Sequence, residues 1–125
     1  MPRARIDIPK LYASLDAARR SKGLSWRQLA AEVGVSPSTM TRMANSHPPH
    51  VDAFVALVRW LKMPAETFMT DEDDDSIEDQ PELMAQVAAL LRARSDLSQD
   101  EAAYLQEVLA VAMRRFADER APRVR

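Results

Sequence analysis

The sequence predicts an all-α fold. Glycine occurs only twice in 125 residues, whereas Ala, Leu, Arg and Glu, all good helix formers, are plentiful. Apolar residues recur three and four positions apart in segment after segment, and no stretch alternates with the period of two that a half-buried strand needs. Serines, prolines and the two glycines punctuate these segments where helices start and stop. The outline is a five-helix domain over residues 1–70, an acidic linker at 71–80 and a two-helix extension over 81–125.

The first helix is expected from about Pro9 to Lys22, with Leu11, Leu15 and Ala18 on one face and Gly23 as its stop. Arg19, Arg20 and Lys22 fill its last turn, where cations suit the negative end of the helix dipole. Ser25-Trp26-Arg27-Gln28 reads as a capping box, opening a helix that buries Leu29, Ala30 and Val33 and ends at Gly34. Ser36 caps the next helix and Pro37 takes its first position, where a missing N–H costs nothing. That helix carries Met40 and Met43 inward and ends at Asn45-Ser46-His47-Pro48-Pro49. A fourth helix spans about Val51 to Lys62, with Val51, Phe54, Leu57, Val58 and Leu61 on one face. Met63-Pro64 breaks it, and Pro64 opens a short fifth helix through Phe68.

Beyond the linker, one pattern from about Pro81 to Arg94 places Leu83, Val87, Leu90 and Leu91 on its apolar side. Another opens with the capping box Ser98-x-x-Glu101, preceded by Leu97 as a hydrophobic staple. Ala102, Leu105, Leu109, Ala112 and Phe116 follow at the spacing of a helix–helix seam.

The net charge of −2 conceals an uneven distribution. Residues 1–70 carry ten Lys/Arg against five Asp/Glu, and residues 71–125 carry seven against fourteen. The basic half suits a polyanion and the acidic half does not. With no cysteine there is no disulfide, thiolate zinc site or thiol nucleophile. The N-terminus lacks the apolar core of a signal peptide, and no run reaches the ~18 apolar residues of a membrane span. A cytoplasmic protein without a membrane partner is expected. No Gly-rich phosphate loop, nucleophile elbow or Ser/His/Asp set is present, so neither enzymatic activity nor a cofactor is expected.

The two capped helices at 25–33 and 36–45 are separated only by Gly34 and Val35. Gly34 permits the positive φ of a sharp reversal. The second helix then stands out from the body, able to enter a major groove about 12 Å wide. Leu29-Ala30-x-x-Val33-Gly34-Val35-Ser36-x-Ser38-Thr39-Met40-x-Arg42-Met43 resembles the Cro-type, lambda-repressor-like helix-turn-helix of the xenobiotic-response-element family. The likeness extends from about Ile8 to Met69. It implies a sequence-specific transcriptional regulator, with base-edge contacts from Pro37, Ser38, Thr39, Thr41 and Arg42. A guanidinium such as that of Arg42 bonds both major-groove acceptors of guanine. Phosphate contacts are implied at Ser25, Trp26, Arg27 and Asn45, although the family often has glutamine in place of Trp26. Relatives also usually have an acidic residue followed by Asn-Gly where this chain has Ala44-Asn45-Ser46.

One such motif touches too few base pairs to select a genomic site, so a homodimer on a palindromic operator in double-stranded DNA is expected. The candidate dimer surface is Leu83, Val87, Leu90, Leu105, Leu109, Ala112 and Phe116; its plainer role would be to close a helical hairpin within one chain. Residues 90–98, followed by the long last helix, also resemble the tail of repressors encoded beside a zinc metallopeptidase, in which cleavage near the equivalent of Leu91–Arg92 destroys the dimer. The alternative function is an antitoxin-like module whose tail folds on, and neutralises, a partner.

Other features read as ordinary. The methionines are expected in the core. His47 and His50, in a Pro-Pro loop without nearby carboxylates, make no metal site. Asp71, Asp73, Asp75, Asp79 and Glu82 match calcium-loop positions, but Ser76 replaces the required glycine and Pro81 intrudes, which leaves a solvated linker. Arg3, Arg5 and Lys10 form either a basic arm for an adjacent groove or a frayed terminus.

Overall fold

Asp7 starts the first helix by accepting the Lys10 amide on its carboxylate at 3.1 Å, so α1 runs Ile8–Lys22 and takes in Pro9 at its first turn. This computed structural model describes residues 4–71 and 80–121. It divides the chain into two compact units, Met1–Asp75 and Ser76–Arg125. Arg3 and most of the calcium-like stretch, Asp73 to Asp79, lie outside the described residues.

In the first unit α1 is followed by α2 (Trp26–Val33), α3 (Pro37–Ala44) and α4 (Val51–Leu61). The fifth helix is a single 3-10 turn, Ala65–Phe68. Leu11 and Leu15 of α1, Leu29 and Ala30 of α2, Met40 and Met43 of α3, Phe54, Leu57 and Val58 of α4 and Phe68 form one buried cluster. Each large side chain taken from water here stabilises the unit by about 1.5–3 kcal/mol before entropy is counted. Val51, expected on the same face of α4, is 76% exposed, because as the first residue of the helix it precedes the packed turn. Among the methionines, Met40 and Met43 are core, but Met63 and Met69 are exposed.

The expectation of no strands is corrected by a two-stranded antiparallel ribbon, β1 (Ala4–Ile6) with β2 (Met69–Asp71). The Asp7 amide extends it by donating to the Phe68 carbonyl at 2.7 Å. Arg5, placed by sequence in an arm or a frayed end, pairs here with Thr70. Strands of three residues are too short to show alternation; the docking of Phe68, which is fully buried, brings them together.

Helix ends in this unit share one device. After α1 the Leu24 amide donates to Arg19 O with Gly23 at φ +69°, and after α3 the His47 amide donates to Arg42 O with Ser46 at φ +66°. After α4, Met63 N reaches Val58 O with Lys62 at φ +58°. These are Schellman closures, and only the first uses the glycine the conformation favours.

The second unit is a helical hairpin. Glu82 caps α5 (Leu83–Ala93) by accepting the Ala85 amide at 2.8 Å. The Ser98/Glu101 capping box opens α6 (Gln99–Arg120), with bonds of 3.1 and 2.9 Å. Between them Arg94 grips Asp96 through two bonds of 2.9 and 2.7 Å, and that hydrogen bonding holds the Asp96 carboxyl below its usual range. Among the described residues of this unit only Ala102 is buried. Leu83, Leu90, Leu105, Leu109 and Phe116 are all exposed, while Val87 and Ala112 are half-buried. Among the described residues no helix is long and apolar enough to cross a membrane.

Candidate nucleic-acid interface

α2 begins with the capping box that its sequence predicts. Ser25 Oγ accepts from the Gln28 amide at 3.1 Å, and the Ser25 amide donates to Gln28 Oε1 at 2.8 Å. The first-turn amides of Trp26 and Arg27 have no partner within the helix, which leaves a positive helix end beside the exposed Arg27. At its other end Gly34 adopts φ +91°, and both its amide and that of Val35 donate to Ala30 O at 2.9 Å. A Cβ on Gly34 would meet nothing within 4 Å, so the turn demands glycine for its backbone angle alone.

α3 is held by Met40 and Met43, which are 3% and 2% exposed. Pro37, Ser38, Thr41 and Arg42 are exposed on the same helix, and Thr39 is partly so. All the predicted base-contact residues therefore have surface available on one short helix. Ser36 is the N-cap residue by its backbone, but its hydroxyl makes no cap bond. That hydroxyl is hydrogen-bonded instead to those of Ser38, at 2.9 Å, and Thr39, at 3.0 Å. Thr41 Oγ1 donates to Pro37 O at 3.4 Å, and Asn45 Nδ2 donates to Thr41 O at 3.0 Å. Arg42 makes no ion pair among the described residues, so its guanidinium donors remain available.

Trp26, proposed from sequence as a phosphate ligand, is built into the packing. Its half-buried ring stacks on Tyr12 with centroids 4.6 Å apart, and the Arg19 guanidinium lies 4.8 Å from its centroid. Arg19 also donates to Leu24 O at 3.0 Å and pairs with Asp16, which ties the end of α1 to the start of α2. The Arg19 hydrogen bond, aided by the Arg20 charge, holds the Asp16 carboxyl below its usual range despite partial desolvation. Glu32 accepts from Trp60 Nε1 at 2.7 Å. Two carboxylates of the basic unit are thus engaged by partners within it.

Sequence reasoning missed an apolar surface depression lined by Tyr12, Trp26, Arg27, Pro37, Met40, Thr41 and Ala44. It adjoins the exposed residues of α3. Its one sequence signal was the placement of Tyr12 and Arg19 two turns apart on α1, where both reach the same neighbour.

Residues 15–66 match the family model described as helix-turn-helix. The N-terminal unit is a helix-turn-helix domain of the lambda-repressor-like, xenobiotic-response-element family. That family is one of DNA-binding transcription regulators. No curated protein matches the chain. The matched segment begins inside α1 and ends in the 3-10 turn, so this helix-turn-helix includes the packed helices that hold α3, and not only α2 and α3.

Proposed function

We propose that the chain is a dimeric transcriptional repressor that reads a palindromic operator with α3 in the major groove of double-stranded DNA. The observation that carries this reading is the exposed guanidinium of Arg42, without an ion pair among the described residues, on a helix anchored from behind by two buried methionines. Arg42 reads guanine; Pro37, Ser38, Thr39 and Thr41 line the base edges. Ser25, Arg27 and Asn45 contact phosphates, Ser25 and Arg27 at the positive end of α2.

Dimerisation is assigned to the α5–α6 hairpin, on the strength of its exposed apolar residues. The Leu91–Arg92 bond lies in the last full turn of α5, with Arg92 exposed. A metallopeptidase cutting there would sever α5 from α6 and so dismantle the dimer.

Selection of bound duplexes from a random pool tests the main proposal and reveals half-site symmetry. Arg42→Ala is expected to weaken binding to the selected sequence by roughly 1–3 kcal/mol and to relax selectivity at one base pair per half-site. Unchanged selectivity in that variant, measured by competition with single-base changes, would contradict the role given to α3.

A further inference from the structure

We propose, resting on the DNA-reading function above, that the depression between Trp26 and α3 is a specificity pocket for the C5-methyl group of a thymine. The hydroxyl groups on α3 make exposed bonds to neighbours on the same segment. Ser38 and Thr39 are drawn to Ser36, and the Thr41 hydroxyl donates its proton to the Pro37 carbonyl at 3.4 Å. Pro37 has no N–H and no polar side chain. Thr41 lines one largely apolar depression with Pro37, Ala44 and Trp26, and its methyl group is the part that can pack against an apolar group of a base.

Of the groups that base pairs present in the major groove, the thymine methyl is the apolar one. A polar base edge placed against the Pro37, Ala44 and Trp26 side of the depression would lose water there without gaining a partner. Trp26 is held for this task by the Tyr12 stack and the Arg19 cation, and Arg27 at the rim is placed to hold the adjoining phosphate. In this assignment Trp26 is a wall of the specificity pocket and not a phosphate ligand.

The test uses the full chain and duplexes selected from a random pool, with each thymine replaced singly by deoxyuridine, which lacks only the methyl. Affinity is expected to fall about fourfold at one thymine per half-site, the effect of removing one methyl group from a buried contact. Thr41→Ser keeps the hydroxyl and is expected to shrink that step to less than twofold. If no thymine responds, or if the fourfold step persists in Thr41→Ser, the pocket assignment is overturned while DNA binding stands. Failure of the wild-type chain to enrich any duplex would instead bring down the DNA-reading function itself.

Discussion

Both units are built from capped amphipathic helices, yet they use their apolar residues in opposite ways. In the N-terminal unit each helix turns side chains into one cluster, and Leu11, Leu15, Leu29 and Leu57 are fully buried. In the C-terminal unit the capping is equally complete, but leucines along both helices stay exposed and Ala102 alone is buried among the described residues. Caps contribute about 1 kcal/mol each and determine where a helix begins; burial determines whether it stands alone. The N-terminal unit thus buries its apolar residues, whereas the described residues of the hairpin leave theirs largely exposed.

The largest expected effect is on the core. Leu29→Ala should destabilise the N-terminal unit by about 2–5 kcal/mol in urea unfolding, while Leu90→Ala in the isolated chain should cost under about 0.5 kcal/mol. Equal losses would erase the contrast. Next comes assembly. Leu105→Asp with Leu109→Asp should turn a dimer into a monomer by light scattering and weaken binding to a two-half-site operator by roughly 100-fold, through lost avidity. A wild-type chain that is monomeric at low micromolar concentration would defeat the assignment before any variant is made.

Smaller effects sharpen the picture. Ser46→Gly relieves a left-handed serine and should stabilise the N-terminal unit by about 1 kcal/mol, shifting its melting transition upward. The smallest effect is the response to acid. Asp16 in one unit and Asp96 in the other both have lowered carboxyl pKa values, each through an arginine hydrogen bond. The folded forms therefore hold these protons less tightly than the unfolded chain. Their stabilisation is present above the ordinary carboxylate range and fades as pH falls through it, between about pH 5 and pH 2. Asp16→Asn should flatten that slope for the N-terminal unit in a thermal-melt series.

Much of this was legible in advance because it is local. The capping boxes at Ser25 and Ser98, the stops at Gly23 and Gly34 and the inward Met40 and Met43 all stand in the structure as the sequence implied. What escaped notice depends on distant partners. The β1–β2 ribbon joins segments some sixty residues apart. The Tyr12–Trp26–Arg19 stack requires α1 to cross α2. The hydroxyl of Ser36 could cap a backbone amide or meet its neighbours, and its spacing alone did not decide between them. Ser46 looked like a loss of the family's glycine, but the Schellman closure forms around it all the same.

The ribbon also determines how the N-terminal unit meets mechanical load. Ala4 pairs with Asp71 at the end of β2, so tension applied to that strand from its C-terminal side pulls on that pair first. Antiparallel strands loaded from one end open like a zipper, bond after bond, while the helices behind them remain packed. β2 would therefore separate from β1 before the helices that hold α3 loosen. Pulling between Lys22 and Gln80 in an optical trap should register a low-force step ahead of helix unfolding, and a single cooperative rupture would refute it.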